Sequence, residues 1–409
     1  MSAIFAFANW SKLQGANDDY WSDRVSHLWT VGFLVLFSML VSSAQYVGDP
    51  IQCWCPAHFT AAYVGYTKNV CWISNTYYIP QEDTIPRSIN ERQDKEISYY
   101  QWVPVIFLFQ AFMFKLPNLI WRMLNKTGGV NIDRLVELAE NTQLGKPEER
   151  EKTIVQVAKY LDIWLKTHHY YHINLIVRMR QKFGNIFCFW FAKREGKFLI
   201  GFYLFVKMLY AANVVFQFFI LNKFLAMNYT IYGYDVIKML VTEGEFADAY
   251  RFPRITLCDF EIRQLENIQR YTVQCVLPIN LFNEKIFIFL WFWYLIVAVV
   301  SCWSYLSWLI HSLISHNRSH YVKKYLKIHD NLKNEADAKL AKKFANEYLK
   351  DDGVFVLQVV GKNTSELVVT DLVSNLWNLY KTSQEAAAVN LEWNPVPVAE
   401  MEPSGLTKL

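Results

Sequence analysis

Cysteines and a short run of histidines are the residues of this 409-residue chain best suited to form bonds beyond ordinary packing. Cys53, Cys55 and Cys71 lie in one segment and Cys258 and Cys275 in another, while Cys188 and Cys302 stand apart. None forms the C-x2-C pair of a zinc site. Cys53 and Cys71 are 18 residues apart, and Cys258 and Cys275 are 17. Two such spacings fit two rungs between segments lying side by side. In an antiparallel arrangement Cys53 pairs with Cys275 and Cys71 with Cys258, although sequence alone does not settle connectivity. His168, His169 and His172 form H-H-x-x-H, whose i, i+4 pair has the spacing of a metal site. No third ligand accompanies them, so a surface cluster is the reading adopted and no metal is assigned. Protonation near pH 6.5 would make that cluster pH-responsive. The chain has no phosphate loop, nucleophile elbow or other catalytic constellation, so neither an enzyme nor a cofactor is expected.

The elements that must position the cysteines are membrane spans. Hydrophobic residues make up 53% of the chain and aromatics 17%, and the charged 19% avoid four windows almost entirely. A bilayer core about 30 Å thick needs roughly 20 apolar helical residues. Residues 28–46, 102–121, 198–221 and 286–310 meet that length. Between 125 and 197 there are 13 basic and 8 acidic residues; between 47 and 101 there are 4 and 6, and between 222 and 285 there are 7 and 8. The basic middle segment therefore stays in the cytoplasm. Segments 47–101 and 222–285 face outward, and both termini are cytoplasmic. Five of the seven cysteines thus lie on the oxidising side, where disulfides form. Five is odd, so at least one lacks an intrachain partner. Bridges there would either rigidify a docking surface or merely steady two long loops. Ser42-Ser43-Ala44 resembles a signal-peptidase site, but the leader carries Asp18, Asp19 and Asp23 against only Lys12 and Arg24. A retained helix is the expected outcome. The net charge of +4 is too small to point to nucleic acid.

The cytoplasmic parts read as mainly helical. Ile154, Val157, Leu161, Trp164 and Leu165 recur at helix spacing, as do Ile132, Leu135, Val136 and Leu138. Residues 336–348 and 368–380 read as helix, and 354–360 as a strand or a short buried helix. Segment 122–197 and region 311–385 are expected to form one compact domain, followed by a disordered tail, 386–409, with Pro395, Pro397 and Pro403. The final Thr407-Lys408-Leu409 fits a C-terminal PDZ ligand, a match frequent by chance. The fold class expected is an all-α membrane protein: a four-helix bundle with disulfide-linked outer loops and a mainly helical cytoplasmic domain.

Several outer runs share one resemblance. Gln45-Tyr46-Val47-Gly48-Asp49-Pro50-Ile51-Gln52-Cys53-Trp54, then Cys71-Trp72 and Asn75-Thr76-Tyr77-Tyr78, resemble the first extracellular loop of innexins, the invertebrate gap-junction proteins. Tyr99-Tyr100-Gln101-Trp102-Val103-Pro104 resembles the family's entrance to the second span. Phe252-Pro253-Arg254-Ile255-Thr256-Leu257-Cys258, Gln274-Cys275-Val276-Leu277-Pro278-Ile279-Asn280 and Asn283-Glu284-Lys285-Ile286 resemble its second loop and the entrance to the fourth span. Cys55 departs from the pattern, standing where an innexin usually has an apolar residue. The resemblance implies a large-pore channel subunit of the plasma membrane. Related subunits, an octamer in preference to a hexamer, would ring the pore, and opposing hemichannels would dock through the outer loops.

Pore and gate candidates follow. Ser38, Ser42 and Gln45 share one face of the first span, a stripe that could face water or another helix. Lys207, Tyr210, Asn213 and Gln217 fall within one sector of the third span and are expected to form an intramembrane polar network. Lys115 sits nearer the cytoplasmic end, where snorkelling is open to it, and Pro117 should kink that span. The N-terminal segment 1–27 begins with an apolar stretch including Ile4 and Phe5, a candidate funnel at the cytoplasmic mouth. Its alternative is a segment resting on membrane lipid. Asn228-Tyr229-Thr230 is an outward-facing glycosylation sequon.

Overall fold

The computed structural model describes residues 19–125, 128–142, 147–167, 196–243, 250–332 and 334–393. Ile4, Phe5, the three clustered histidines, Cys188 and the last three residues lie outside them. The chain divides into two compact units: Asp19–Leu124 with Tyr203–Leu309, and Asn125–Phe202 with Ile310–Leu409.

The first unit holds the apolar helices. The first span, α1, runs Trp21–Tyr46; the second, α4, runs Tyr99–Asn125; the third, α7, runs Phe198–Phe224; the fourth, α9, runs Ile279–Leu313. Each is long and apolar enough to cross a membrane. All four helices outrun the expected crossings at one end or both, by about three to seven residues. Hydropathy marks the stretch lipid must cover, whereas a helix continues into water until its hydrogen-bonding pattern is broken.

Between the spans lie α2 (Ala61–Ile73), α3 (Ile89–Gln93), α8 (Tyr232–Glu243) and five strands: β1 Gln52–Trp54, β2 Thr76–Tyr77, β3 Glu96–Ile97, β4 Ile255–Gln264 and β5 Asn267–Val276. They pair antiparallel in the order β1-β5-β4-β2-β3. This sheet adds to the helical fold a feature that sequence reading left unnamed. Its centre is the β4–β5 hairpin, in which Gln264 pairs with Asn267 across the turn Leu265–Glu266.

The second unit is helical: α5 (Ile132–Asn141), α6 (Pro147–Thr167), α10 (Ser315–Ile328), α11 (Glu335–Lys343), α12 (Lys350–Asn363) and α13 (Glu366–Trp393). Segment 354–360, open between strand and helix in sequence, is the middle of α12. Its Val354, Phe355, Val356, Leu357, Val359 and Val360 are all buried, so apolar side chains surround the helix on every side. Continuous burial removes the periodicity that separates the two forms. Helix α13 runs past 385 to Trp393. Ala386-Ala387-Ala388 favour helix, and the first proline comes only at Pro395.

Candidate functional site

Two disulfides fasten the outer loops to each other. Cys53 stands directly opposite Cys275 in the β1–β5 register and is bonded to it. Cys71, in the last turn of α2, is bonded to Cys258 on β4. The bridges touch, with the sulfurs of Cys53, Cys71 and Cys275 within 4.8 Å of one another. Cys55 keeps a free, half-buried thiol, its Sγ 3.7 Å from the carbonyl oxygen of Cys53.

Polar locks join the same loops. Asp259 on β4 accepts from the hydroxyls of Tyr77 at 2.9 Å and Thr272 at 2.7 Å, and from Arg92 Nη1 at 2.6 Å. Burial and this carboxylate together push the Tyr77 hydroxyl above its ordinary pKa. Gln101 donates to the carbonyl of Trp72 and, at 3.2 Å, to Asn75 Oδ1. Asn280 donates to the carbonyl of Pro253 at 2.8 Å, and Arg254 pairs with the buried Glu284 at 2.9 Å. The outer runs noted in the sequence are thus contact partners: the Cys71-Trp72 run with the entrance to the second span, and the Phe252–Cys258 run with the entrance to the fourth.

A different chemistry holds the opposite ends of these helices. Lys207 is 1% exposed, and its Nζ donates to Asp23 at 2.8 Å, Ser304 at 2.8 Å and Ser22 at 3.1 Å. It also lies 4.7 Å from the centre of the Tyr20 ring. Alongside, His27 Nε2 is 3.0 Å from Asp19 Oδ2, and Asn118 donates to the other oxygen of Asp19 at 3.3 Å. Lys115 Nζ does not turn away to snorkel; it lies 3.3 Å from His27 Nδ1. A π-helical turn, Val25–Trp29, interrupts α1 here. Thr30 Oγ1 donates to Val25 O at 3.0 Å and accepts from Trp293 Nε1 at 2.9 Å, so a side chain covers the first carbonyl of the widened turn.

The four third-span residues expected to form one network separate into two groups. Lys207 joins the acidic cluster, and the Tyr210 ring lies tilted to that of His27, 6.3 Å between centres. Gln217 donates to Asn213 at 3.0 Å. A helix rises 1.5 Å per residue, so Gln217 lies about 15 Å from Lys207 along the axis. Asp19, Ser22, Asp23, His27 and Ser304 were missed. The available signal was the pair of acids placed just before the first apolar stretch.

The family model described as Innexin matches residues 18–380, which include all four spans, both cysteine segments and most of the second unit. Innexin unc-9 of Caenorhabditis elegans is 38% identical over 384 residues, covering 93% of this chain and 97% of that protein. Innexin-3 of the same organism is 36% identical over 355 residues, covering 87% and 82%. Innexin eat-5, also from it, is 31% identical over 375 residues, covering 88% and 87%. The chain belongs to the innexin family.

In this innexin the first-span stripe is tied to the second span. Ser38 is buried and donates to Pro104 O at 3.0 Å. Gln45 Nε2 donates to Tyr100 O at 2.8 Å. Tyr100 precedes Pro104 by four residues, so its carbonyl is the one that proline's missing N–H leaves without a helical partner. The two polar side chains join helices; Ser42 is half-buried between them. The uncovered face of α1 carries Leu36, Met39, Leu40, Ser43 and Tyr46. Asn228 is exposed, and the Thr230 of its sequon exchanges hydrogen bonds with Asn222 at 2.9 and 3.0 Å.

Proposed function

We infer that the protein is a gap-junction channel subunit of the plasma membrane. Copies ring a central pore, and two rings in apposed cells dock through their outer loops, so that ions and small molecules pass between cytoplasms. Both termini lie in the cytoplasm. The observation that carries this reading is that both outer loops of an innexin fold into one sheet pinned by two disulfides. Ordering a docking surface before contact removes a cost that binding would otherwise bear. The β4–β5 hairpin is the proposed contact element. Its turn residue Leu265 is 98% exposed, with φ +54° at a position where two-residue turns usually place glycine.

The pore-facing surface proposed is the uncovered face of α1. Ile4 and Phe5 would narrow the cytoplasmic mouth, so deleting residues 2–10 should change single-channel conductance or gating. The ring proposed is octameric, which the mass of the solubilised assembly would test. A PDZ partner at Thr407-Lys408-Leu409 would be lost when those residues are removed.

Junctional current between paired cells expressing the protein, recorded beside the current of single cells, tests the main reading. Junctional current is expected, and silence in both recordings would defeat a homomeric channel. Exposure of Asn228 favours a second reading: an undocked hemichannel releasing small molecules, with a glycan near the outer face. Current in single cells only, converted to junctional current by Asn228→Gln, would support it.

A further inference from the structure

The segment after the third span turns back to the level of the apolar helices. Tyr229 is fully buried and donates its hydroxyl to Phe287 O at 2.6 Å. Phe287 is the second residue after Lys285, the last charged residue before the fourth apolar stretch. One turn deeper, Trp291 Nε1 donates to Thr230 O at 3.1 Å. The Trp291 ring occupies the space a side chain at Gly233 would need, with ring carbons 2.0–2.4 Å from where a Cβ would stand. Phe218, still within the third span, lies 6.2 Å from the Tyr229 ring and 6.4 Å from that of Trp291. Helix α8 therefore begins beside the apolar lengths of two spans, and not in the water above them.

Three faces divide α8. Tyr232 and Val236 are buried against the subunit. Asp235, Lys238 and Thr242 form a polar edge, with Asp235 paired to Arg251 at 2.6 Å. Tyr234, Ile237, Leu240 and Val241 fall within about 120° of one another on the helical wheel. They are 65%, 48%, 56% and 81% exposed.

We propose that α8 is an interfacial helix, with its Tyr234–Ile237–Leu240–Val241 face in the outer leaflet against phospholipid. Its depth beside Trp291 and Phe218 places that face at the level where the spans themselves meet lipid, making it continuous with the membrane surface of the subunit. Tryptophan is enriched at this level, and an amphipathic helix buries its apolar face about 5–10 Å into the headgroup and acyl boundary. Lys238, on the polar edge, is then positioned for lipid phosphate. Because Arg251 leads directly into the run ending at Cys258, the helix would tie the outer leaflet to the bridged strands.

The test is the full-length protein carrying benzoyl-phenylalanine in place of Val241, reconstituted in phosphatidylcholine vesicles and irradiated. Lipid adducts are expected at about ten times the yield of the same probe at Leu265, which is in water, as burial in the acyl boundary requires. Cross-linking to a second copy, or a lipid yield no greater than at Leu265, would overturn the proposal. Should the Val241 variant fail to assemble, the probe at Ile237 gives the same two outcomes.

Discussion

The two ends of the membrane unit are held by opposite means. At the outer end, covalent bridges and a hydrogen-bonded sheet join the loops, and the ion pair of Glu284 lies against them. At the other end, Asp19, Asp23, His27, Lys115 and Lys207 meet in a buried cluster without any covalent link. Disulfides hold whatever the protonation state, whereas a buried charge cluster is strong only while every partner is in place. The difference teaches where rigidity and adjustability reside: the docking end is fixed, and the opposite end is balanced by charge.

The largest expected effect would come from breaking the outer end. Replacing Cys71 and Cys258 by serine should abolish junctional current while protein still reaches the surface, as biotinylation would show. Retained coupling would mean that the sheet stands without its bridge. With Cys53–Cys275 closed, the second bridge closes a ring of only about 35 residues, which the loop-entropy relation values at about 4 kcal/mol.

At the charged end, Lys207→Met should destabilise the protein by about 3–5 kcal/mol, because Asp23 is left buried and unpaired. Adding Asp23→Leu should recover most of that loss, as seen in the thermal unfolding of solubilised protein. If the double variant is no better than the single one, pairing is not what holds this end.

A smaller effect carries the comparison into the cytoplasmic unit. Asp352 is buried there and accepts from the N–H groups of Leu199 at 3.0 Å and Ile200 at 3.1 Å. Burial pushes its pKa up to about 6, overcoming the opposing pull of these amides. The folded state therefore favours the protonated form. Stability from this group is fully present below about pH 4 and is lost as pH rises through about 6, a swing on the order of 3 kcal/mol. Asp352→Asn should flatten that dependence when unfolding is followed from pH 4 to 7.5. An unchanged slope would assign it to other groups.

The smallest effect concerns Leu265. Leu265→Gly should relieve a left-handed backbone and stabilise the hairpin by roughly 1 kcal/mol. It should nevertheless weaken junctional coupling if the exposed leucine is a contact. Unimpaired coupling would move docking off the hairpin tip.

Sequence by itself determined the crossings, their orientation and the outer placement of five cysteines, because hydropathy and loop charge are local properties that a bilayer sorts directly. It also carried the family through its outer motifs. Tertiary structure alone decided what those motifs touch. Trp72 and Asn75 meet Gln101, and Pro253 and Arg254 meet Asn280 and Glu284, through contacts between segments far apart in the chain. Position on a helical wheel placed Lys207 among Tyr210, Asn213 and Gln217, but a wheel ignores height along the axis and the neighbouring helices. Only packing brought Asp23 and Ser304 to its ammonium group, and turned Gln45 to the carbonyl that Pro104 leaves open. Local pattern tells which residues need a partner; the partner itself is chosen by a fold that brings distant segments within hydrogen-bond reach.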